Sequence, residues 1–127
     1  MPKILLIEED AVVSRILQIG LAKNLGAEVF TALGAEEGFR KLKDEEINLL
    51  VLDMFLQNQT TLDLIKKIKN DPETSAIPIV VITMIGDKEN TDAARSLGVD
   101  SFIIKGGTSM RETVLTIKEA LQKSSGA

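Results

Sequence analysis

Five polar residues that could hold a cation or a phosphoryl group stand at the ends of four apolar runs. In chain order they are Glu8, Glu9, Asp53, Thr83 and Lys105. Three carboxylates brought close together repel one another, so a divalent cation would neutralise them. The chain has neither His nor Cys, and oxygen ligands alone favour Mg²⁺ over zinc or copper. The residue types therefore predict a magnesium site with a lysine and a hydroxyl nearby.

The apolar runs are typical of strands buried on both faces of a parallel sheet. Strands are predicted at residues 4–7, 28–32, 49–53, 79–83 and 101–105, and helices at about 11–24, 35–44, 60–70, 88–97 and 110–123. Alternation of this kind favours βαβ units with right-handed crossovers and helices on both faces. The carboxyl ends of parallel strands share one edge, where ligands bind, so we expect the five polar residues to meet there.

Composition limits the class of protein. The 127 residues suggest one domain, predicted at residues 1–123, with 124–127 as a tail or the start of a linker. A net charge of −4 disfavours direct binding to nucleic acid or to anionic membranes. No apolar run approaches the ~20 residues of a membrane span. The N-terminus enters a strand at once and leaves no room for a signal peptide, so we expect a cytoplasmic protein.

Each polar residue also has a purely structural explanation. Glu8 and Glu9 would favour the positive end of the following helix dipole, and Asp53 could be a loop residue or a cap. Thr83 is ordinary strand composition, and Lys105 could be a solvated charge. The coincidence of four strand ends, each with one component of one site, favours the functional explanation.

In order and spacing, these residues resemble the receiver domain of two-component response regulators over essentially the whole chain. The matching segments are residues 4–9, 50–53, 81–83 and 102–105. The resemblance implies an α/β fold of the flavodoxin-like type, a doubly wound (βα)5 three-layer sandwich with parallel strand order 2-1-3-4-5. It also implies a phosphoacceptor signalling domain rather than an enzyme.

The same resemblance implies a role for each residue at the centre of the site. Asp53 would be the phosphoacceptor, taking a phosphoryl group from a sensor histidine kinase or phosphotransfer protein. Glu8, Glu9, Asp53 and the backbone carbonyl of Phe55 would hold Mg²⁺. The alternative acidic pair, Glu9 with Asp10, is disfavoured because the apolar run ends immediately before Glu8.

The resemblance further implies a conformational switch. Lys105 and Thr83 would contact the phosphoryl group, and Phe102 would turn inward behind Thr83. The shift would act on a downstream effector domain or protein through the fourth helix, the fifth strand and the fifth helix. The protein would be a monomer or a weak homodimer.

Three residues depart from the family pattern. Glu9 stands where Asp is usual, Gly106 where Pro is usual, and Met84 where a small residue is common. Glu is longer than Asp by about 1.5 Å, and Mg²⁺ demands near-ideal geometry. Met84 is predicted to control access to Asp53. A trans peptide bond is expected before Gly106, because a non-proline cis bond costs roughly 2.5–4 kcal/mol.

These departures keep a second function open, a pseudo-receiver that binds partners but is phosphorylated poorly or not at all. A flavin-binding protein of similar topology is disfavoured, because the acidic residues 8–10 stand where a phosphate cradle needs small residues and bare amides. Trp and Tyr, which could stack on a flavin, are absent. The P-loop motif GxxxxGK[ST] is also absent.

Overall fold

A five-stranded parallel sheet forms the centre of this computed structural model, which describes residues 1–125. Its strands are β1 (Lys3–Ile7), β2 (Glu28–Ala32), β3 (Leu49–Asp53), β6 (Ile79–Thr83) and β7 (Ser101–Ile104). Two short strands, β4 (Phe55–Leu56) and β5 (Gln59–Thr60), form a separate antiparallel hairpin. The sheet order is β2-β1-β3-β6-β7, with every pair parallel. The predicted flavodoxin-like fold and its 2-1-3-4-5 order are confirmed, once the hairpin is set aside.

Five helices connect the strands within the described residues. They are α1 (Ala11–Leu25), α2 (Ala35–Asp44), α3 (Leu62–Asn70), α4 (Lys88–Ser96) and α5 (Met110–Ser125). Helix α3 begins two residues later than predicted, because residues 59–60 belong to β5. Helix α5 includes Ser124 and Ser125 and so extends two residues into the predicted tail. Residues 126–127 lie outside the described part of the chain.

The ends of α1 show how local sequence fixes an element beside the functional edge. The side chain of Asp10 accepts hydrogen bonds from the backbone N–H groups of Val12 (2.9 Å) and Val13 (3.2 Å), which is the usual work of an N-cap. Gly26 ends the helix in the left-handed region at φ 61°. Asp10 Oδ1 therefore caps the N-terminus of the helix that follows β1.

Two apolar layers hold the helices against the sheet. Leu50 and Leu52 of β3 face α2, α3 and α4, whereas Leu49 and Val51 face α1 and α5. All four side chains are buried, as expected for a strand covered on both faces. Helix α2 lies so close to β1 that a Cβ on Gly38 would clash with Ile7 Cδ1. The packed layers make the sheet a rigid support for the residues at its edge.

Candidate functional site

The carboxyl ends of the central strands surround a cavity of about 230 Å³. Its lining residues are Glu8, Glu9, Asp10, Asp53, Phe55, Thr83, Met84 and Lys105. Residues separated by almost a hundred positions thus meet at one edge, because parallel strands end there together. A larger cavity of about 340 Å³ contacts Pro78 and Ser101 at the opposite edge of the sheet and contains none of these residues.

Lys105 links the two buried carboxylates of the cavity. Its Nζ lies 3.1 Å from Glu8 Oε1 and 3.5 Å from Asp53 Oδ2. The backbone N–H of Lys105 donates to the Thr83 carbonyl oxygen at 2.8 Å, which extends the pairing of β6 and β7 by one residue. Burial alone would lower the pKa of Lys105, but its bonds with Glu8 and Asp53 outweigh burial and raise it. The ammonium is therefore held in its charged form.

Glu8 is a buried acid with incomplete hydrogen bonding. Its pKa is raised to about 7, first by burial and next by the neighbouring Asp53 carboxyl, while Lys105 acts in the opposite direction. Glu8 Oε1 accepts from the backbone N–H of Asp10 at 3.2 Å and from Lys105. Glu8 Oε2 is buried and has no hydrogen-bond partner among the described residues. A buried carboxylate oxygen of this kind would be stabilised by a hydrogen-bond donor or a cation.

Asp53 is fixed on both sides and open toward the cavity. Its Oδ1 accepts from the backbone N–H of Phe55 at 3.2 Å, and Oδ2 accepts from Lys105. Its carbonyl oxygen accepts from Thr61 Oγ1 at 2.8 Å. The side chain is 11% exposed, so a reactant can reach a carboxylate whose direction is already set.

Glu9 takes a different direction from Glu8. Its Oε2 accepts a hydrogen bond from the backbone N–H of Gln57, at 3.0 Å, in the turn between β4 and β5. Within residues 1–125 no group of three acidic side chains is arranged to hold a metal ion. The structure therefore brings Glu8 and Asp53 together, whereas the carboxylate of Glu9 is engaged by the hairpin.

Thr83 contacts a residue that was not predicted from the sequence. Its Oγ1 donates to Asp87 Oδ2 at 3.3 Å, and Asn90 Nδ2 donates to both carboxylate oxygens of Asp87. Asp87 occupies the N-cap position of α4 but makes no side-chain capping bond. The available signal was its position, an acid four residues after the threonine.

Met84 and Phe102 lie beside the cavity. Met84 is 62% exposed and lines the opening. Phe102 lies outside the cavity, in an adjoining groove that also contacts Thr83. The Arg95 guanidinium lies 4.7 Å from the centre of the Phe102 ring. Phe102 is thus half-buried on the face made by α4 and β7.

The comparison with family models decides the family. Residues 4–117 match the model of the response regulator receiver domain. The chain belongs to the response regulator receiver domain family. This match includes the strands of the parallel sheet, except the first residue of β1, and all the residues of the cavity.

Individual relatives agree with the receiver assignment. The transcriptional regulatory protein CrdR of Helicobacter pylori is 36% identical over 103 residues, which are 81% of this chain and 47% of CrdR. The phosphate regulon transcriptional regulatory protein PhoB of Rhizobium meliloti is 27% identical over 124 residues, covering 98% of this chain and 54% of PhoB. The chain therefore spans about half the length of these two curated relatives.

Solved receiver structures share the fold closely. The CheY-like response regulator receiver domain protein of Methanospirillum hungatei superposes with a TM-score of 0.88 and 25% identity, covering 99% of this chain and 98% of that one.

Over residues 1–125, no helix has the length and apolar character needed to cross a membrane. As predicted, the peptide bond before Gly106 is trans.

The donors of this receiver domain fit a Mg²⁺ ion at two of the predicted positions. Glu8 offers the unpartnered Oε2, and Asp53 offers a carboxylate at the cavity wall. Phe55 also lines the cavity, and all these donors are the hard oxygen atoms that Mg²⁺ prefers. Glu9 also lines the cavity, but its Oε2 accepts a hydrogen bond from Gln57.

Proposed function

We propose that this receiver domain accepts a phosphoryl group on Asp53 from the phosphohistidine of a sensor histidine kinase or phosphotransfer protein. The observation that carries the proposal is the position of Asp53. Its carboxylate opens on the cavity, is held by the Phe55 N–H, and lies 3.5 Å from the Lys105 ammonium. A carboxylate beside a cation is the pair of groups that phosphoryl transfer to an aspartate uses.

The transfer exchanges one bond to phosphorus for another. A carboxylate oxygen of Asp53 attacks phosphorus, the O–P bond forms, and the N–P bond to the donor imidazole breaks with its electron pair returning to nitrogen. Lys105 faces the developing negative charge of the phosphoryl oxygens. Glu8 and Asp53 would hold Mg²⁺, which when bound would screen that charge further.

The acceptor is selected by its direction as well as by its charge. The Phe55 N–H bond to Oδ1 limits the rotation of the side chain, and the Thr61 hydroxyl bond to the Asp53 carbonyl holds the backbone that carries it. Holding a nucleophile in one direction reduces the entropy that must be lost to reach the transition state. Glu8 is a poorer acceptor because its pKa is raised to about 7 and its side chain is buried.

Phosphorylation would change the partner of the Thr83 hydroxyl. In the present conformation the hydroxyl donates to Asp87. A phosphoryl oxygen on Asp53 is a stronger acceptor and lies across the same cavity. The exchange releases Asp87 and the start of α4, and thereby alters the face of α4, β7 and α5 that would contact an effector domain.

Acetyl phosphate provides the test. With Mg²⁺, intact-mass spectrometry should show the addition of one phosphoryl group to the wild type and to Asp63→Asn, an exposed control on α3. Asp53→Asn should show none, and removal of Mg²⁺ should slow labelling of the wild type. Absence of labelling in the wild type, or labelling that persists in Asp53→Asn, would refute the proposal.

One observation favours a second function, a pseudo-receiver that binds partners without efficient phosphorylation. Glu9 is engaged by Gln57 rather than placed beside Asp53. In this arrangement the cation site has two carboxylates rather than three. Retention of an effector by the Asp53→Asn variant, together with failed labelling of the wild type, would support this second function.

A further inference from the structure

We propose that Glu9 clamps the β4–β5 hairpin and that a divalent cation in the cavity competes with the hairpin for this carboxylate. Cation binding then releases the hairpin turn before any phosphoryl group arrives. The inference rests on the proposed function for the presence of a cation site. It concerns the connection between β3 and α3, where the sequence predicts no strand and the structure has a hairpin.

The clamp joins segments that are far apart in the sequence. Glu9 follows β1, and the Gln57 amide that donates to it, at 3.0 Å, lies 48 positions later. The base of the hairpin is closed separately, because the Thr61 N–H donates to the Met54 carbonyl oxygen at 2.8 Å. Glu9 therefore holds the Gln57 amide at the tip of the hairpin, one residue beyond the last pair of β4 and β5.

The tip is a turn that needs such a restraint. Gln57 and Asn58 have φ values of 53° and 61°, so both central residues lie in the left-handed region. Asn tolerates this region, but Gln is not among the residues that favour it. Strands β4 and β5 contain two residues each, and a hairpin this short is marginal alone. The carboxylate of Glu9 supplies an acceptor at the strained residue itself.

Both carboxylates that face the hairpin are tied to it by backbone amides. Asp53 Oδ1 accepts from the Phe55 N–H at the start of β4, and Glu9 Oε2 accepts from the Gln57 N–H at the turn. A cation that draws these oxygens toward the cavity weakens both bonds, since each oxygen would then serve two positive partners. Site occupancy and hairpin order are thereby linked, and the linkage is reciprocal.

The length of Glu9 makes the clamp possible. Aspartate at this position would be shorter by about 1.5 Å, which is too short to span the present distance to Gln57. Glu9→Asp should therefore lose the clamp while keeping the charge for a cation. Glu9→Gln should keep an oxygen that can accept from Gln57 while losing most of its affinity for a cation.

Amide exchange with water, measured by NMR at fixed pH and ionic strength, tests the linkage. In the wild type, saturating Mg²⁺ should speed exchange of the Gln57 amide about fivefold, the effect of one exposed charge-assisted hydrogen bond. In Glu9→Asp the amide should exchange rapidly even without Mg²⁺, and Mg²⁺ should bind about fivefold more tightly. In Glu9→Gln the amide should stay protected and insensitive to Mg²⁺. Glu46→Gln, which removes the same charge from an exposed loop, should behave as the wild type.

The outcomes separate this inference from the proposed function. If Mg²⁺ shifts the Asp53 resonances but leaves Gln57 exchange unchanged in the wild type, the competition is refuted and the cation site stands. If Mg²⁺ shifts no resonance at Glu8 or Asp53, the cation site and the competition fall together. If Gln57 is unprotected in the metal-free wild type, the clamp itself is refuted.

Discussion

Replacing Glu8 by Gln should stabilise the metal-free protein at alkaline pH. Glu8 is buried, one of its oxygens has no partner among the described residues, and its pKa is raised to about 7 from an ordinary value of 4.5. Burial is the main cause, and the like charge of Asp53 is the next. Glutamine keeps the oxygen that accepts from Lys105 and Asp10, and it places an amide donor where Oε2 stands unpaired.

The size and sign of the effect follow from the two pKa values. Glu8 supports folding fully below pH 4.5, where it is protonated in both states, and that support is lost as pH rises through about 7. At about 1.4 kcal/mol for each tenfold change in proton affinity, the loss is about 3 kcal/mol at high pH. A domain of this kind is stable by only about 5–15 kcal/mol, so the effect is large enough to measure.

Urea unfolding followed by far-UV circular dichroism is the appropriate assay, because the chain has no Trp or Tyr. With EDTA present, Glu8→Gln should exceed the wild type by about 2–3 kcal/mol near pH 8.5 and by less than about 1 kcal/mol near pH 5. Asp71 and Glu112, whose pKa values are lowered by hydrogen bonds, affect acid stability in both proteins and cancel in the difference. Glu46→Gln should show no such pH dependence. A variant less stable than the wild type near pH 8.5 would refute the reasoning, because Glu8 would then be stabilised by its ionised contacts.

Three further predictions concern the switch, the opening and the fold. Asp87→Ala removes the acceptor of the Thr83 hydroxyl. Beryllofluoride, a phosphoryl mimic, should therefore bind about threefold to fivefold more tightly in a fluorine NMR titration. Unchanged affinity, or the same gain in affinity in a Thr83→Ala background, would contradict this prediction. Met84→Ala widens the cavity opening, so both labelling by acetyl phosphate and later hydrolysis should be faster in time-resolved mass spectrometry, and slower labelling would show that Met84 assists entry. Thr74→Val should lower the free energy of unfolding by about 1–3 kcal/mol, because the Ile68 carbonyl loses its 2.7 Å donor at the end of α3. Thr74→Ser keeps the hydroxyl and should lie within about 1 kcal/mol of the wild type; equal losses in the two variants would assign the effect to packing.

The spacing of apolar residues was enough to predict most strands and helices of this chain. Strand β3 is apolar at four successive positions and buried on both faces, a pattern that few other environments accept. Helix α2 agrees with its predicted bounds at both ends, because its apolar residues recur at helical spacing between polar ones. Once the strands are parallel, convergence of Glu8, Asp53 and Lys105 follows from topology, since the ends of the strands share an edge.

The hairpin between β3 and α3 could not be predicted in the same way. Two-residue hairpins are usually marked by Gly at a central position of the turn, and here the central residues are Gln57 and Asn58. The strands that flank them have two residues each, too short to show a period of two. The conformation depends instead on tertiary contacts, among them the distant carboxylate of Glu9.

Glu8 and Glu9 have different surroundings, which explains why two adjacent acidic residues in the sequence do not by themselves specify a metal site. Consecutive residues at the end of a strand point to opposite sides, so two adjacent acids meet different neighbours. Glu8 is buried beside Lys105, whereas Glu9 is exposed, so packing in the core does not determine the partner of Glu9. The partner of Glu9 depends on the length of the side chain, in which one methylene accounts for about 1.5 Å. It also depends on which hydrogen-bond donors the fold places within that distance. Residue type and spacing determine which edge of the sheet carries the chemistry, but the partner of each exposed side chain is decided by the neighbouring loops.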